Sequence, residues 1–322
     1  MVYGIIAAVF LLFLAVSAAG GYYMYRYAVV RRKNAADCWA HPEQLEPPQH
    51  LSPEKAALVQ RDREYVLTHA GKPYYRVSRD GVTLACRMLH PTGAHTSRGI
   101  FLCCHGYRSH AVYDFAGAAQ YLLAMGFSLC LIDERACGSS GGRYITFGLR
   151  EKDDVVDWAC WLQERFPDLP VLHYGVSMGA SSVLAASGEP LPPSVRGIVA
   201  DCGYTSACAI CKRVLRQTFH LPPFPVYYAA LVLIWLRTGV WFPDLYCTRA
   251  VTENRLPLLI VHGRADDFVP FSMGEAIYDA AKAHCDAEFF AAADASHARS
   301  WLCDEDGYRA AIKRLLHKAG ID

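Results

Sequence analysis

The chain has 322 residues, 53% of them hydrophobic, and a formal net charge of +1 from 32 Lys and Arg against 31 Asp and Glu. That length suits one large α/β domain with an appendage, or two smaller domains. Balanced charge, with no basic stripe interleaved with aromatics, argues against a nucleic-acid-binding protein. The 13 cysteines include several in apparent core strands (Cys103, Cys104, Cys130, Cys202) and do not form a compact disulfide framework. They read as free thiols of a reducing compartment.

The first charged side chain after the start is Arg26, preceded by an apolar run from Gly4 to Val16, small residues and the group Tyr22-Tyr23-Met24-Tyr25. About 20 apolar helical residues span the roughly 30 Å hydrocarbon layer, and tyrosines favour its boundary. The segment predicts an N-terminal transmembrane helix. A cleavable signal peptide is the competing reading, since Val16-Ser17-Ala18 resembles a cleavage site. However, the basic cluster Arg26, Arg31, Arg32 and Lys33 follows the apolar run instead of preceding it. The positive-inside rule then puts the following domain in the cytoplasm. The expected organisation is an anchor with its basic flank over 1–33, and a linker with an N-terminal helical segment over 34–80. The main domain fills 81–322.

The linker carries His41-Pro42, Pro47-Pro48 and Ser52-Pro53, and Glu54–Leu67 reads as a helix. Strands are expected at Val82–Leu89, Gly99–Cys104, Ser128–Asp133, Val171–Gly175, Gly197–Asp201, Leu258–Val261 and Glu288–Ala292. Between them, helices are expected at Val112–Met125, Glu151–Phe166, Ser177–Ala186, Gly274–His284 and Asp306–His317. This alternation predicts a mostly parallel sheet covered on both faces by helices. About 55 residues without a strand separate Asp201 from Leu258, including the very apolar run Val226–Trp235. A second membrane span is one reading. A small helical cap over a site, inserted at about 202–256, is preferred because the run is short and preceded by prolines.

Gly175-Val176-Ser177-Met178-Gly179 lies between an apolar β-prone run and the helix-compatible run Ala180–Ala186. A serine on such a sharp strand-to-helix turn has its hydroxyl clear of the backbone, and the helix amides point at the same spot. Serine is a weak nucleophile and needs a base and an orienting acid. Candidates follow two later strands: Asp266, in His262-Gly263-Arg264-Ala265-Asp266-Asp267, and His297, in Asp294-Ala295-Ser296-His297. Asp267 is the rival acid. Asp201 is read as structural, tying the cap entrance, and His262 as a packed histidine. For an oxyanion, the amides of Met178 and of Tyr107, in His105-Gly106-Tyr107, are the expected donors. Cys208 and Cys211 have metal-like spacing without a second pair, so they read as thiols one helical turn apart. No metal or organic cofactor is expected.

These residues resemble the α/β-hydrolase superfamily, which orders its nucleophile, acid and histidine in this way. The likeness rests on His105-Gly106-Tyr107, the Asp133–Gly142 loop, Gly175–Gly179, Asp201–Ser206, His262–Pro270 and Ser296-His297, and spans about Gly81 to Asp322. Within it the chain is most similar to bacterial membrane-anchored serine hydrolases labelled serine aminopeptidase-like or monoacylglycerol lipase-like, with a cap after the sixth strand. Cys137 stands where relatives usually carry histidine, which leaves open whether it contacts substrate. The implied activity is hydrolysis of a carboxylic ester, of small-molecule or lipid-derived type, through an acyl-enzyme. An aminopeptidase-type amide hydrolase with the same three residues, an acyltransferase and a non-enzymatic membrane-tethered scaffold are the alternatives. Few acids in the segment after Asp201 (Asp244, Glu253) argue against an amine-binding pocket.

Overall fold

With no charge before Arg26, the first segment winds into helix α1 (Val2–Ala28), apolar over most of its length. Residues 1–16 are all exposed, and length and composition alone are enough for α1 to cross a membrane. The computed structural model describes residues 1–32, 37–45, 51–92 and 97–321. Lys33 of the basic flank and Pro47-Pro48 of the linker lie outside them.

Helix α2 (Pro53–His69) starts where Ser52 accepts a hydrogen bond from the Lys55 amide at 3.3 Å, with Pro53 at the first helical position. Strand β1 (Tyr74–Val77) was not expected from sequence. It is four residues long, and its alternating half-buried side chains carry little apolar signal. Pairing with β2 (Thr83–Leu89) holds it at the sheet edge. Next come β3 (Gly99–Cys104), α3 (Ala111–Ala124), β4 (Phe127–Asp133), α4 (Glu151–Arg165), β5 (Val171–Val176), α5 (Met178–Ala186) and β6 (Val195–Asp201). The cap follows as α6 (Ala207–Gln217), α7 (Val226–Thr238) and α8 (Cys247–Glu253). The chain then returns through β7 (Leu258–Gly263), α9 (Phe271–Ala281), β8 (Ala287–Ala292), α10 (Ser300–Cys303) and α11 (Glu305–Lys318). Helix α9 starts three residues before the expected Gly274, directly after Pro270, which cannot itself donate to a helix.

The eight strands form one sheet in the order β1-β2-β4-β3-β5-β6-β7-β8. Its β1–β2 and β2–β4 pairs are antiparallel and the rest are parallel. Every residue of β3, β4 and β5 is buried, as expected for central strands covered on both faces. Cys103 packs into the core on one face with Phe115 and Tyr174, and Cys104 into the core on the other with Trp158 and Val183. The adjacent thiols therefore alternate, as period-two side chains must.

A third apolar cluster joins the cap to the N-terminal helix: Tyr25 and Val29 share it with Tyr204, Leu231 and Phe242. After α1, Val30 bridges Tyr144, the Arg31 amide donates to the Arg143 carbonyl at 2.8 Å, and the Ile145 amide donates to the Val29 carbonyl at 2.8 Å. The Arg31 guanidinium adds bonds to the Ser140 and Gly138 carbonyls at 2.5 and 2.7 Å. The start of the basic flank is thus stitched to the 138–145 loop, a long-range pairing with no local sequence signal.

Candidate active site

Ser177 follows β5 directly and sits at φ 56°, ψ −112°, a backbone region that non-glycine residues rarely occupy. The flanking glycines permit this bend. A Cβ on Gly179 would run into the Cys104 carbonyl oxygen, and one on Gly175 into the Gly179 carbonyl. Two backbone bonds fix the turn, from the Ser177 amide to the Asp201 carbonyl at 2.8 Å and from the Ser181 amide to the Ser177 carbonyl at 3.0 Å.

Asp266, in the loop after β7, lies within reach of this turn. Its Oδ1 accepts the amides of Phe268 and Val269 at 3.0 and 2.8 Å. Its Oδ2 is 2.7 Å from His297 Nδ1, and His297 Nε2 is 2.9 Å from Ser177 Oγ. The three groups named from the sequence thus form one continuous hydrogen-bonded chain. Burial alone would raise the Asp266 carboxyl, but hydrogen bonds from His262 and His297, the His297 charge and the Val269 amide outweigh it and leave it at about 2. His262 is fully buried, with Nε2 on the Val269 carbonyl at 2.9 Å and 3.4 Å from Asp266. It braces the acid loop.

The rival acids are placed elsewhere. Asp267 is exposed, and its carbonyl accepts from Arg213 at 2.5 Å. Asp201 turns its carboxylate toward Tyr308 on α11 at 3.0 Å and Ser300 at 3.4 Å. It ties the C-terminal helices to the sheet, not the cap entrance expected from sequence. Burial lifts it to about 6, against the Tyr308 bond.

The Gly106 amide donates to Asp114 Oδ2 at 2.7 Å, and Ser109 Oγ donates to Asp114 Oδ1 at 2.7 Å. Asp114 therefore sets the loop that presents Tyr107, and burial pushes its carboxyl up to about 6 against those bonds. Sequence reasoning missed it, although a carboxylate in the first turn of α3 is a recognisable helix-start signal. Among the described residues, neither the Tyr107 nor the Met178 amide has a hydrogen-bond acceptor. His105 is sealed, with Nδ1 on the Gly106 carbonyl at 2.8 Å and Nε2 taking the Glu134 amide at 3.0 Å. Burial lowers it to about 4, so it stays neutral.

Two cavities meet at Ser177. One, of about 270 Å³, is apolar and lies under the cap, with walls from Leu231 and Ile234 on α7, Phe242, and Met24, Tyr27 and Ala28 of α1. The other, of about 340 Å³, is more polar and reaches His297, Tyr113 and Asp114. Cys137 is buried in the cluster that joins the cap to α1 and lines neither cavity. Cys208 and Cys211 lie one turn apart on α6, and Cys211 faces the apolar cavity. Cys202, Asp266 and His297 bring potential ligand atoms within 4.8 Å of one another. Burial holds the Cys202 thiol protonated, and both His297 nitrogens are already engaged, a donor set that does not suit a metal.

Fold and site together define the class: the chain has the α/β-hydrolase fold, and part of it matches a serine hydrolase family. The matching family is described as serine aminopeptidase, S33, over residues 95–217. The chain is 25% identical over 223 residues to the uncharacterized protein YqkD of Bacillus subtilis strain 168, covering 69% of this chain and 72% of YqkD. In fold it is similar to the Pyrococcus furiosus esterase Pf2001, with a TM-score of 0.63 and 20% identity over 85% of this chain and 99% of that one. It is also similar to Est1E of Butyrivibrio proteoclasticus, solved with ferulic acid, with a TM-score of 0.57 and 16% identity over 77% and 99%.

Proposed function

We infer that the chain is a membrane-anchored serine esterase that uses Ser177, His297 and Asp266. The observation that carries this reading is the Ser177–His297–Asp266 hydrogen-bonded chain, at 2.9 and 2.7 Å, opening on an apolar cavity. His297 Nε2 takes the hydroxyl proton as Ser177 Oγ attacks the ester carbonyl carbon, and Asp266 holds the imidazole and balances its cation. The Tyr107 and Met178 amides receive the oxyanion. His297 then gives the proton to the departing alkoxide, the alcohol leaves, and water repeats the attack on the acyl-serine to release the acid. The more polar cavity suits the alcohol half and the apolar cavity the acyl half. Helix α1 serves as the anchor, and Arg31 and Arg32 favour a cytoplasmic catalytic domain.

The family description favours an aminopeptidase as the second reading. Among the described residues, no acidic side chain lines the apolar cavity to bind a free amine. In the other cavity, Asp114 and Asp201 already hold partners. The test is a panel of p-nitrophenyl esters and aminoacyl-p-nitroanilides, with Ser177→Ala as the blank. Ester turnover that the variant abolishes supports the reading; turnover of anilides alone replaces it with the peptidase.

A further inference from the structure

We propose that helix α1 is part of the active site as well as its tether, and that cap helix α7 is sunk beside it in the same bilayer. The ester the enzyme takes is then one that resides in the acyl layer and enters from there. The substrate half of this proposal rests on the esterase reading.

Met24, Tyr27 and Ala28 line the apolar cavity together with Leu231 and Ile234. The same turn grips the loop that presents the Tyr107 amide. Tyr107 Oη donates to the Ala28 carbonyl at 2.9 Å, and Arg108 donates to the carbonyls of Tyr27 and Val30 at 2.5 and 3.1 Å. The Tyr27 and Ala28 carbonyls belong to the last turn of α1 and have no partner within the helix. The membrane helix therefore satisfies its own end with the site's loop.

The depth of α7 follows from how it packs. The Phe224 ring is 6.1 Å from that of Phe13, and Gly21 lies against the backbone of Ala229 and Ala230. The two helices therefore run side by side in the same direction. Phe13 lies thirteen residues before Arg26, about 20 Å along a helix. If α1 crosses the bilayer with Arg26 at its surface, the start of α7 has no place except the acyl layer.

The outward face of α7 fits that environment. Tyr228, Val232 and Leu236 recur every four residues with Trp235 beside them, Phe224 lies just before the helix, and all are about half exposed or more. Trp235 stacks edge-on with the exposed Trp241 near Arg237, aromatic and cationic groups that favour the headgroup level. Elsewhere the cap bears Lys212, Arg213, Arg216, Arg249 and Arg255 against Asp244 and Glu253, a balance that suits anionic lipid. The inner face of the same helix carries Tyr227, Ala230, Leu231 and Ile234 into the cavity. One helix thus separates the bilayer from the acyl pocket, and a single-chain ester needs only to pass its edge.

The test uses the full chain in vesicles of phosphatidylcholine and phosphatidylglycerol, with a photo-crosslinking residue in place of Tyr228 or, as control, of the exposed Tyr75 on β1. Lipid adducts at Tyr228 and none at Tyr75 are expected. No lipid adduct at Tyr228 overturns the docking. A variant carrying Tyr228→Ser, Val232→Ser and Leu236→Ser should hydrolyse vesicle-borne p-nitrophenyl palmitate about tenfold more slowly while keeping its rate on aqueous p-nitrophenyl acetate. Equal rates on palmitate, or equal losses on both, overturn entry from the bilayer. Met24→Trp should move the optimum of a vesicle-borne acyl series to shorter chains, and an unmoved optimum removes α1 from the pocket. Failure of wild-type Ser177 to react with a fluorophosphonate counts against the esterase reading, and the Tyr228 adducts still decide the docking.

Discussion

Asp266→Asn separates a working relay from three groups that merely touch. Wild-type Asp266 holds His297 Nδ1 at 2.7 Å with one oxygen and two amides with the other. Its carboxyl stands at about 2 instead of 3.8, a preference for the anion of about 2 kcal/mol. Asparagine preserves the volume and the amide-facing oxygen but turns an NH₂ toward Nδ1. The imidazole proton must then move to Nε2, the nitrogen required to accept the Ser177 proton. A fall in kcat of about 10⁴, or roughly 5 kcal/mol, is the expected size for such a wrong tautomer. The assay is steady-state turnover of p-nitrophenyl butyrate, with Asp267→Asn in parallel. That exposed side chain should leave kcat within about twofold. An Asp266→Asn enzyme within about tenfold of wild type, or an equally crippled Asp267→Asn, refutes the assignment of the acid.

Leu231→Trp intrudes on the apolar cavity from α7, where each substrate methylene buried should raise kcat/KM about fourfold. The series from acetate to decanoate should therefore climb in wild type and break off earlier in the variant; a flat wild-type profile contradicts the acyl assignment. Gly179→Ala sets a methyl against the Cys104 carbonyl and should lower unfolding stability by about 3 kcal/mol or more in urea melts. A variant as stable as wild type contradicts that packing. The folded value of Asp266 lies below its unfolded one, so its stabilisation is complete above about pH 4 and lost as pH falls toward 2. Wild-type urea midpoints should fall more steeply across that window than those of Asp266→Asn, and parallel slopes count against the depressed carboxyl.

Central strands were legible because β3, β4 and β5 are near-continuous apolar runs ended by turn residues. The groups at Ser177, Asp266 and His297 were legible because each lies in the loop or turn that follows a strand end. What depends on long-range pairing was not. Strand β1 gains its conformation from β2, and the 29–31 segment from Gly138, Arg143 and Ile145. The contribution of Met24 and Tyr27 to the cavity could not be read either, since an apolar N-terminal helix carries the same residues whether or not it lines a pocket. Asp201 shows the limit of reading by position. Its place at a strand end is right, but which way its carboxylate turns depends on Tyr308, more than a hundred residues away in sequence.

The nucleophile itself is open to the most direct measurement. Full-length protein treated with a fluorophosphonate, digested and mapped by mass spectrometry should carry one adduct, on Ser177, and Ser177→Ala should carry none. An adduct on any other side chain, or undiminished labelling of Ser177→Ala, would contradict the account.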